Sequence, residues 1–197
     1  MTAVLDTNCW STLADFKEHL DIDSSDTSKD NFLTNILNAA YKAAVNYIGQ
    51  DLNATAYTEY HDGDDSDTIL LDNYPIISVE TVFDDTDRLF DPTNYPSTIF
   101  DSDDYAFYAN TGKLRLLAGF TFTGGVQNIQ VRYTAGYLDV PYDAVRGLIL
   151  LAAYYAQRAG SEGRTNETLG GRSVGYEAQP IPLYIRQLLL PYKKFST

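Results

Sequence analysis

Apolar residues recur along the first fifty positions with a helical period. Thr12 followed by Asp15 has the spacing of a capping box with Asp in the place of Glu, and Leu13, Phe16 and Leu20 then share one face of a short helix. Residues 22–29 are a polar connection rich in Ser and Asp. A longer helix is predicted from Asp30 to Ile48: Leu33, Ile36, Leu37, Ala40, Ala44, Val45 and Ile48 form its stripe, and Gly49 ends it. After Asn53 the period shortens. Residues 55–60, 69–71, 76–83, 106–108, 113–117 and 128–133 are predicted strands, separated by turns rich in Asp, Gly, Asn and Pro. Residues 61–67 form a polar turn, and Asn110-Thr111-Gly112 and Thr123-Gly124-Gly125 have the composition of hairpin connections. In residues 84–104 strand and loop patterns are not distinguishable. Helical pattern returns at Pro141, a good first-turn residue. Val145, Leu148, Ile149, Leu150, Leu151, Ala152 and Ala153 are apolar nearly all round, as in a helix buried on most sides, which runs on through Arg158 to Gly160. Residues 161–178, rich in Gly, Arg and Ser, are a loop or arm, and a last short helix over 183–190 begins after Pro182 and stops before Pro191.

The order helix, helix, strands, helix, arm, helix defines an α+β chain. Neither helical pair buries its apolar face alone, so a small helical bundle must form from the N- and C-terminal segments, residues 1–53 and 138–197. Residues 54–137 are then an inserted antiparallel β domain: a small sheet, sandwich or barrel.

Composition narrows the class. The chain has 197 residues, 44% hydrophobic and 21% charged, enough to bury a core without metals or disulfides. No apolar run reaches the roughly 20 residues of a membrane helix. The start of the chain has no basic segment leading into an apolar stretch, so no secretory signal is expected, and the single cysteine, Cys9, fits a reducing compartment. Net charge is −13 and unevenly spread: residues 1–110 carry 22 acidic and 4 basic side chains, residues 111–197 carry 5 acidic and 10 basic. Such a chain does not grip nucleic acid through a general phosphate-binding surface.

Candidate chemistry is thin, and neither an enzyme nor a cofactor is expected. The two histidines, His19 and His61, and the lone Cys9 form no nucleophile–base pattern, and phosphate-loop, dinucleotide and His-Glu-x-x-His motifs are absent. The run from His61 to Asp67 offers carboxylates at a turn. Counted from Asp62, however, its sixth and twelfth positions hold Asp67 and Asn73 where a calcium loop needs Gly and Glu, so a solvated turn without metal is the expectation. The 16 tyrosines are suggestive, since tyrosine supplies amphipathic contact area at interfaces. Strand preference accounts for Tyr57, Tyr60, Tyr105, Tyr108 and Tyr133. Tyr154, Tyr155, Tyr176, Tyr184 and Tyr192 remain as interface candidates.

Several segments in their order resemble the head–tail connector (adaptor, head-completion) family of tailed bacteriophages. They are TLADFKEHL at 12–20, the Ala-rich helix ending Tyr47-Ile48-Gly49, YHDG at 60–63, Leu70-Leu71, YPIISV at 74–79, VRYTAGY at 131–137, LGGRSV at 169–174 and LLLPY at 188–192. The stretch 84–104 has no place in that pattern. The resemblance implies a virion subunit at the head–tail interface, assembled in the host cytoplasm. It implies a ring of about twelve copies bridging the portal protein to a stopper or tail protein, with genome DNA passing through without specific binding and no membrane. On that reading Tyr184, Ile185, Leu188, Leu189 and Tyr192 are apolar contacts to portal or neighbour, and Arg186, Lys193 and Lys194 add positive charge. Arg164, Arg172 and Tyr176 of the arm join them. Asp62, Asp64, Asp65, Asp67, Asp84, Asp85 and Asp87 are the acidic surface, facing the channel and repelling phosphate. The alternative is a β-rich binding module in which Tyr95, Phe100, Tyr105 and Phe107 recognise a host glycan or a tail fibre.

Overall fold

The capping box forms as its spacing predicts. In the computed structural model, which describes residues 2–94, 99–159 and 180–194 with the backbone of 166–169 and 172–175, the Asp15 N–H donates to Thr12 Oγ1 and the Thr12 N–H to Asp15 Oδ2, both at 3.1 Å. Helix α1, Leu13–His19, starts there and turns Phe16 into the core. Helix α2 spans Asp30–Ile48 and closes on Gly49 in the left-handed region, φ +90°. Leu33, Leu37, Ala40, Tyr41, Ala44 and Ile48 are its buried stripe. Lys17, one position past Phe16, is also buried, which helical spacing does not announce. Its ammonium pairs with Asp30 at 2.5 Å and donates to the Asp26 carbonyl at 2.9 Å, tying the polar connection onto the first turn of α2.

The segment before α1 lies along α2 without joining a sheet. The Ala3 N–H donates to Asn31 Oδ1 and the Asp6 N–H to Asn38 Oδ1, each at 2.9 Å, and Asn38 Nδ2 returns a bond to the Val4 carbonyl at 2.9 Å. Lys42 pairs with Asp6 at 2.8 Å. Trp10 closes the run, its Nε1 donating to Asp51 Oδ1 at 3.0 Å and its ring edge-on to Tyr41.

Helix α3, Tyr142–Arg158, buries Ala144, Gly147, Leu148, Ile149, Leu151, Ala152 and Ala153 and packs on α2. Pro141 caps it from outside instead of occupying the first turn. Helix α4, Leu183–Leu189, packs on α3 where Gly147 leaves room; a Cβ there would stand 3.0 Å from Leu189 Cδ2. A 3-10 turn over Leu190–Tyr192 follows. The Tyr192 hydroxyl then bonds the Asp143 carboxylate, and the Lys194 N–H donates to the Ile48 carbonyl at 2.7 Å. These elements make up one compact unit, Met1–Leu52 with Val140–Thr197. Part of the stretch expected to be a loop or arm is a two-stranded antiparallel hairpin, β8 (Asn166–Leu169) with β9 (Arg172–Gly175).

The second unit, Asn53–Asp139, is all β. Its strands are β1 (Thr55–Gly63), β2 (Thr68–Leu70), β3 (Ile76–Asp84), β4 (Ile99–Phe100), β5 (Tyr105–Tyr108), β6 (Lys113–Leu116) and β7 (Gly125–Ala135). They form a four-stranded sheet ordered β1-β7-β3-β4 and a three-stranded sheet ordered β2-β6-β5, antiparallel throughout. One apolar cluster draws Ile69, Leu114 and Leu116 from the small sheet and Ile76, Val82, Ile129, Val131 and Tyr133 from the large one. The fold class expected from the sequence, α+β, is the one observed.

Two local expectations change, the first being that β1 runs on to Gly63 into the polar turn expected over residues 61–67. The turn at Ala109–Gly112 does connect paired strands, β5 to β6, but Thr123-Gly124-Gly125 is not a hairpin. It lies on a link from β6 in one sheet to β7 in the other, because β7 finds its partners in β1 and β3. Residues 84–104 contain the short edge strand β4 and a loop built on Asp85.

The β unit begins and ends side by side. Asn53 bridges to Tyr137, and the Ala54 N–H donates to the Tyr137 carbonyl at 3.0 Å. Gly136 permits this at φ +113°, where an added Cβ would lie 2.3 Å from the Asn53 carbonyl oxygen. Gly136→Ala is therefore expected to destabilise the protein by about 1–3 kcal/mol, read as a lowered urea midpoint.

Candidate functional site

The acidic surface gathers at one end of the β unit, where the β1–β2 turn, the end of β3 and the β6–β7 link meet. The link has no strand partner over Thr121–Gly124, so its backbone needs other acceptors. Aspartates supply them. Asp84 Oδ2 accepts the Thr123 N–H at 2.7 Å, Asp65 Oδ1 the Gly124 N–H at 2.9 Å, and Asp62 Oδ1 the Gln127 N–H at 2.7 Å. Asn128, only 1% exposed, ties all three segments together. Its Oδ1 accepts the Gly63 N–H, and its Nδ2 donates to Asp84 and to the Thr123 carbonyl. Gly63 is required, since a Cβ there would meet the Thr123 carbonyl oxygen at 1.8 Å.

The seven predicted acidic residues thus divide. Asp62, Asp64, Asp65 and Asp87 are exposed, and Asp67 and Asp84 half-buried. Asp67 pairs with Arg115 at 2.8 Å; bonds from Thr68 and then Arg115 hold its carboxyl below the usual range. Asp85 is a correction: it is 5% exposed and faces no solvent. Burial works against its charge, but the N–H groups of Phe90, Asp87 and Leu89 outweigh burial and keep its carboxyl low. Its work is to shape its own loop. Among the described residues no group of three or more His, Cys, Asp or Glu side chains is placed to hold a metal ion, and no helix is long and apolar enough to cross a membrane.

The C-terminal candidates divide similarly. Tyr184 is 53% exposed, with Leu183 before it and Leu190 past the end of α4 also exposed, whereas Ile185 and Leu189 have no accessible surface. Those two are core residues, since the inward face of α4 is what fastens it to α3, and this corrects their place among the contact residues. Leu188 is half-buried. Arg186 is half-buried with Nε donating to the Ile181 carbonyl at 2.8 Å, and Lys193 sits 5.0 Å from the Tyr47 ring centre. Tyr192 and Lys194 are the half-buried residues that pin the segment to α3 and α2. Arg172 belongs to β9 by its backbone, and Arg164 and Tyr176 lie outside the described residues. Of the aromatics considered for glycan binding, Phe100 and Tyr105 pack against the β core, Phe107 is partly exposed, and Tyr95 is outside the described residues.

A polar cluster inside the β unit escaped the sequence reading. Glu59 bonds the Tyr133 hydroxyl and accepts from the Asp72 N–H at 2.9 Å and Asn73 Nδ2 at 3.0 Å, with His61 Nε2 at 3.2 Å. Burial pushes the Glu59 carboxyl up, but bonds from His61, Asp72 and Tyr133 prevail and leave it below its ordinary value. Strand alternation could have revealed this position. Glu59 occupies the same face as Tyr57, the face that turns inward.

Among the described residues these surfaces are made of backbone-bonded aspartates and exposed apolar side chains. A sequence model of the head completion protein family matches residues 11–195, and the chain belongs to that family. The family is a class of structural virion proteins and not of enzymes. Solved chains from phage-like particles are similar in fold, three of them as follows. They come from the neck of an empty GTA particle computed with C6 symmetry (TM-score 0.62, 15% identity), the virion of a native gene transfer agent particle (0.62, 16%) and the neck of a native GTA particle computed with C12 symmetry (0.61, 16%). Each alignment covers 100% of this chain and 96% of the other. Searched by sequence against curated proteins, the chain matches none.

Leu189→Ala should cost about 2–5 kcal/mol in urea unfolding, while Tyr184→Ala leaves the midpoint nearly unchanged. Because the folded pKa of Glu59 is depressed, its contribution is present above the ordinary glutamate value of about 4.3 and disappears as pH falls through the folded value. Thermal melts in mildly acidic buffer should accordingly lose less stability in Glu59→Gln than in the wild type over that interval.

Proposed function

We propose that the chain is the subunit of a ring that joins the portal to a stopper or tail and surrounds the path of the genome. The observation that carries the proposal is the family match over residues 11–195. The full-length likeness to neck chains, one of them in a neck computed with C12 symmetry, supports it. In a ring each subunit needs two different surfaces, because contacts in a closed cycle are heterologous. The helical unit with its C-terminal segment serves as the ring-forming part. The outward face of α4 and the residues after it, Leu183, Tyr184, Leu190 and Lys193, meet the portal, and Ile185 and Leu189 hold that face in position from inside.

The exposed aspartates of the β unit, Asp62, Asp64, Asp65 and Asp87, face the channel. Bonds from backbone N–H groups to Asp62, Asp64 and Asp65 fix where their charge stands, and a wall of fixed negative charge lets DNA slide without counterion-releasing contacts. Virion location and assembly in the host cytoplasm follow from the same reading.

Electron microscopy of the chain mixed with its portal tests this directly. A ring of about twelve subunits with an acidic inner wall is expected; a chain that stays monomeric beside the portal, or a ring with a basic wall, refutes it. Tyr184→Ala combined with Lys193→Ala should weaken portal capture at least tenfold without lowering the melting temperature.

A further inference from the structure

Strand β7 alternates, so that Ile129, Val131 and Tyr133 face the core while Gln130 and Arg132 face away from it. In the register of the large sheet Gln130 stands between Tyr60 on β1 and Phe83 on β3, and Arg132 between Thr58 and Thr81. An exposed arginine ordinarily keeps its rotamer freedom. Arg132 is exposed yet held. Its Nε donates to Gln130 Oε1 at 3.0 Å, and its guanidinium carbon lies 6.0 Å from the Phe83 ring centre. Gln130, 2% exposed, donates in turn to the Tyr60 hydroxyl at 3.0 Å. Phe90 closes the row edge-on to Tyr60 and Phe83, and its backbone N–H is held by the buried Asp85 at 2.9 Å.

A chain of contacts therefore runs from Asp85 through Phe90, Tyr60 and Gln130 to one immobilised guanidinium. Lys17, Lys42 and Arg115 each have a carboxylate partner at 2.5–2.8 Å. Among the described residues Arg132 has none, and its neighbours in the sheet register, Thr58 and Thr81, carry no charge, a setting suited to a carboxylate from outside. Arginine and tyrosine fixed beforehand are the side chains that carry binding energy at protein contacts.

We propose that this sheet face, with Arg132 as anchor and Tyr60 and Phe90 as rim, docks a second copy of the chain through one of that copy's aspartates. Charge complementarity selects the occupant. The chain holds 22 of its 27 acidic residues in its first 110 positions, while this face offers a fixed, unpaired cation. The contact would supplement those of the helical unit in holding neighbouring subunits together, and so it rests on the ring reading.

The test is photocrosslinking of the full chain carrying p-benzoylphenylalanine in place of Thr58, beside Arg132. Irradiation at millimolar concentration, and again in rings on the portal, should give a covalent dimer whose adduct maps to an Asp-rich segment of the other copy. Arg132→Glu should reduce the yield at least tenfold, Arg132→Gln by a similar factor, and added salt should lower it in the wild type. Circular dichroism checks the fold, and Arg132→Gln stands in for Arg132→Glu if the latter is unfolded. No homotypic dimer, an adduct to the portal instead, or yields unchanged in a folded Arg132 variant overturns the proposal. Rings that form without the adduct refute this contact alone, whereas a chain that forms no ring on the portal refutes the ring reading.

Discussion

The closure at Asn53 and Tyr137 is the constraint on which the rest depends. Helices α2 and α3 share a core although 93 residues separate Ile48 from Tyr142 in the chain. Bringing such distant segments together costs conformational entropy, though the cost grows only logarithmically with the length enclosed. The β unit offsets it by folding around its own apolar cluster and returning its two ends to one bridge. Gly136 makes that bridge sterically possible. An insertion closed in this way can vary in its loops while the helical unit keeps one arrangement.

Negative charge in this chain has a double role that composition hides. Asp62, Asp65 and Asp84 are backbone acceptors first: Asp65 and Asp84 serve the link that crosses between sheets, and Asp62 serves Gln127 at the start of β7. Asp85 is wholly given over to that work. The charge left on the surface is consequently ordered, which distinguishes it from a merely solubilising coat of acid.

What the sequence disclosed follows from the range of the interactions involved. Helices α1 and α2 were legible almost to the residue because capping, the apolar stripe and Gly49 act within a few positions. Strand positions were legible from alternation, but partners were not. Nothing local to Thr123-Gly124-Gly125 distinguishes a hairpin from a link between sheets, and only the pairing of β7 with β1 and β3 decides it. Asp85 was misplaced and Lys17 left unplaced for a related reason, since a charged side chain goes inside only when distant donors or acceptors meet it there. In α4 the error was one of face. Ile185 and Leu189 are four apart and share the inward side, whereas Tyr184 lies on the other. The family resemblance was recoverable because it drew on the order of many short segments at once.

The strap of residues before α1 carries an implication for the order of assembly within the monomer. Asn31, Asn38 and Lys42 come onto one face only after α2 has wound, for their spacings of seven and four match a helix and no extended form. The strap's binding site does not exist on the unfolded chain. This segment, though it precedes α2 in the chain, must wait on it, and it can lift away while α2 stays intact.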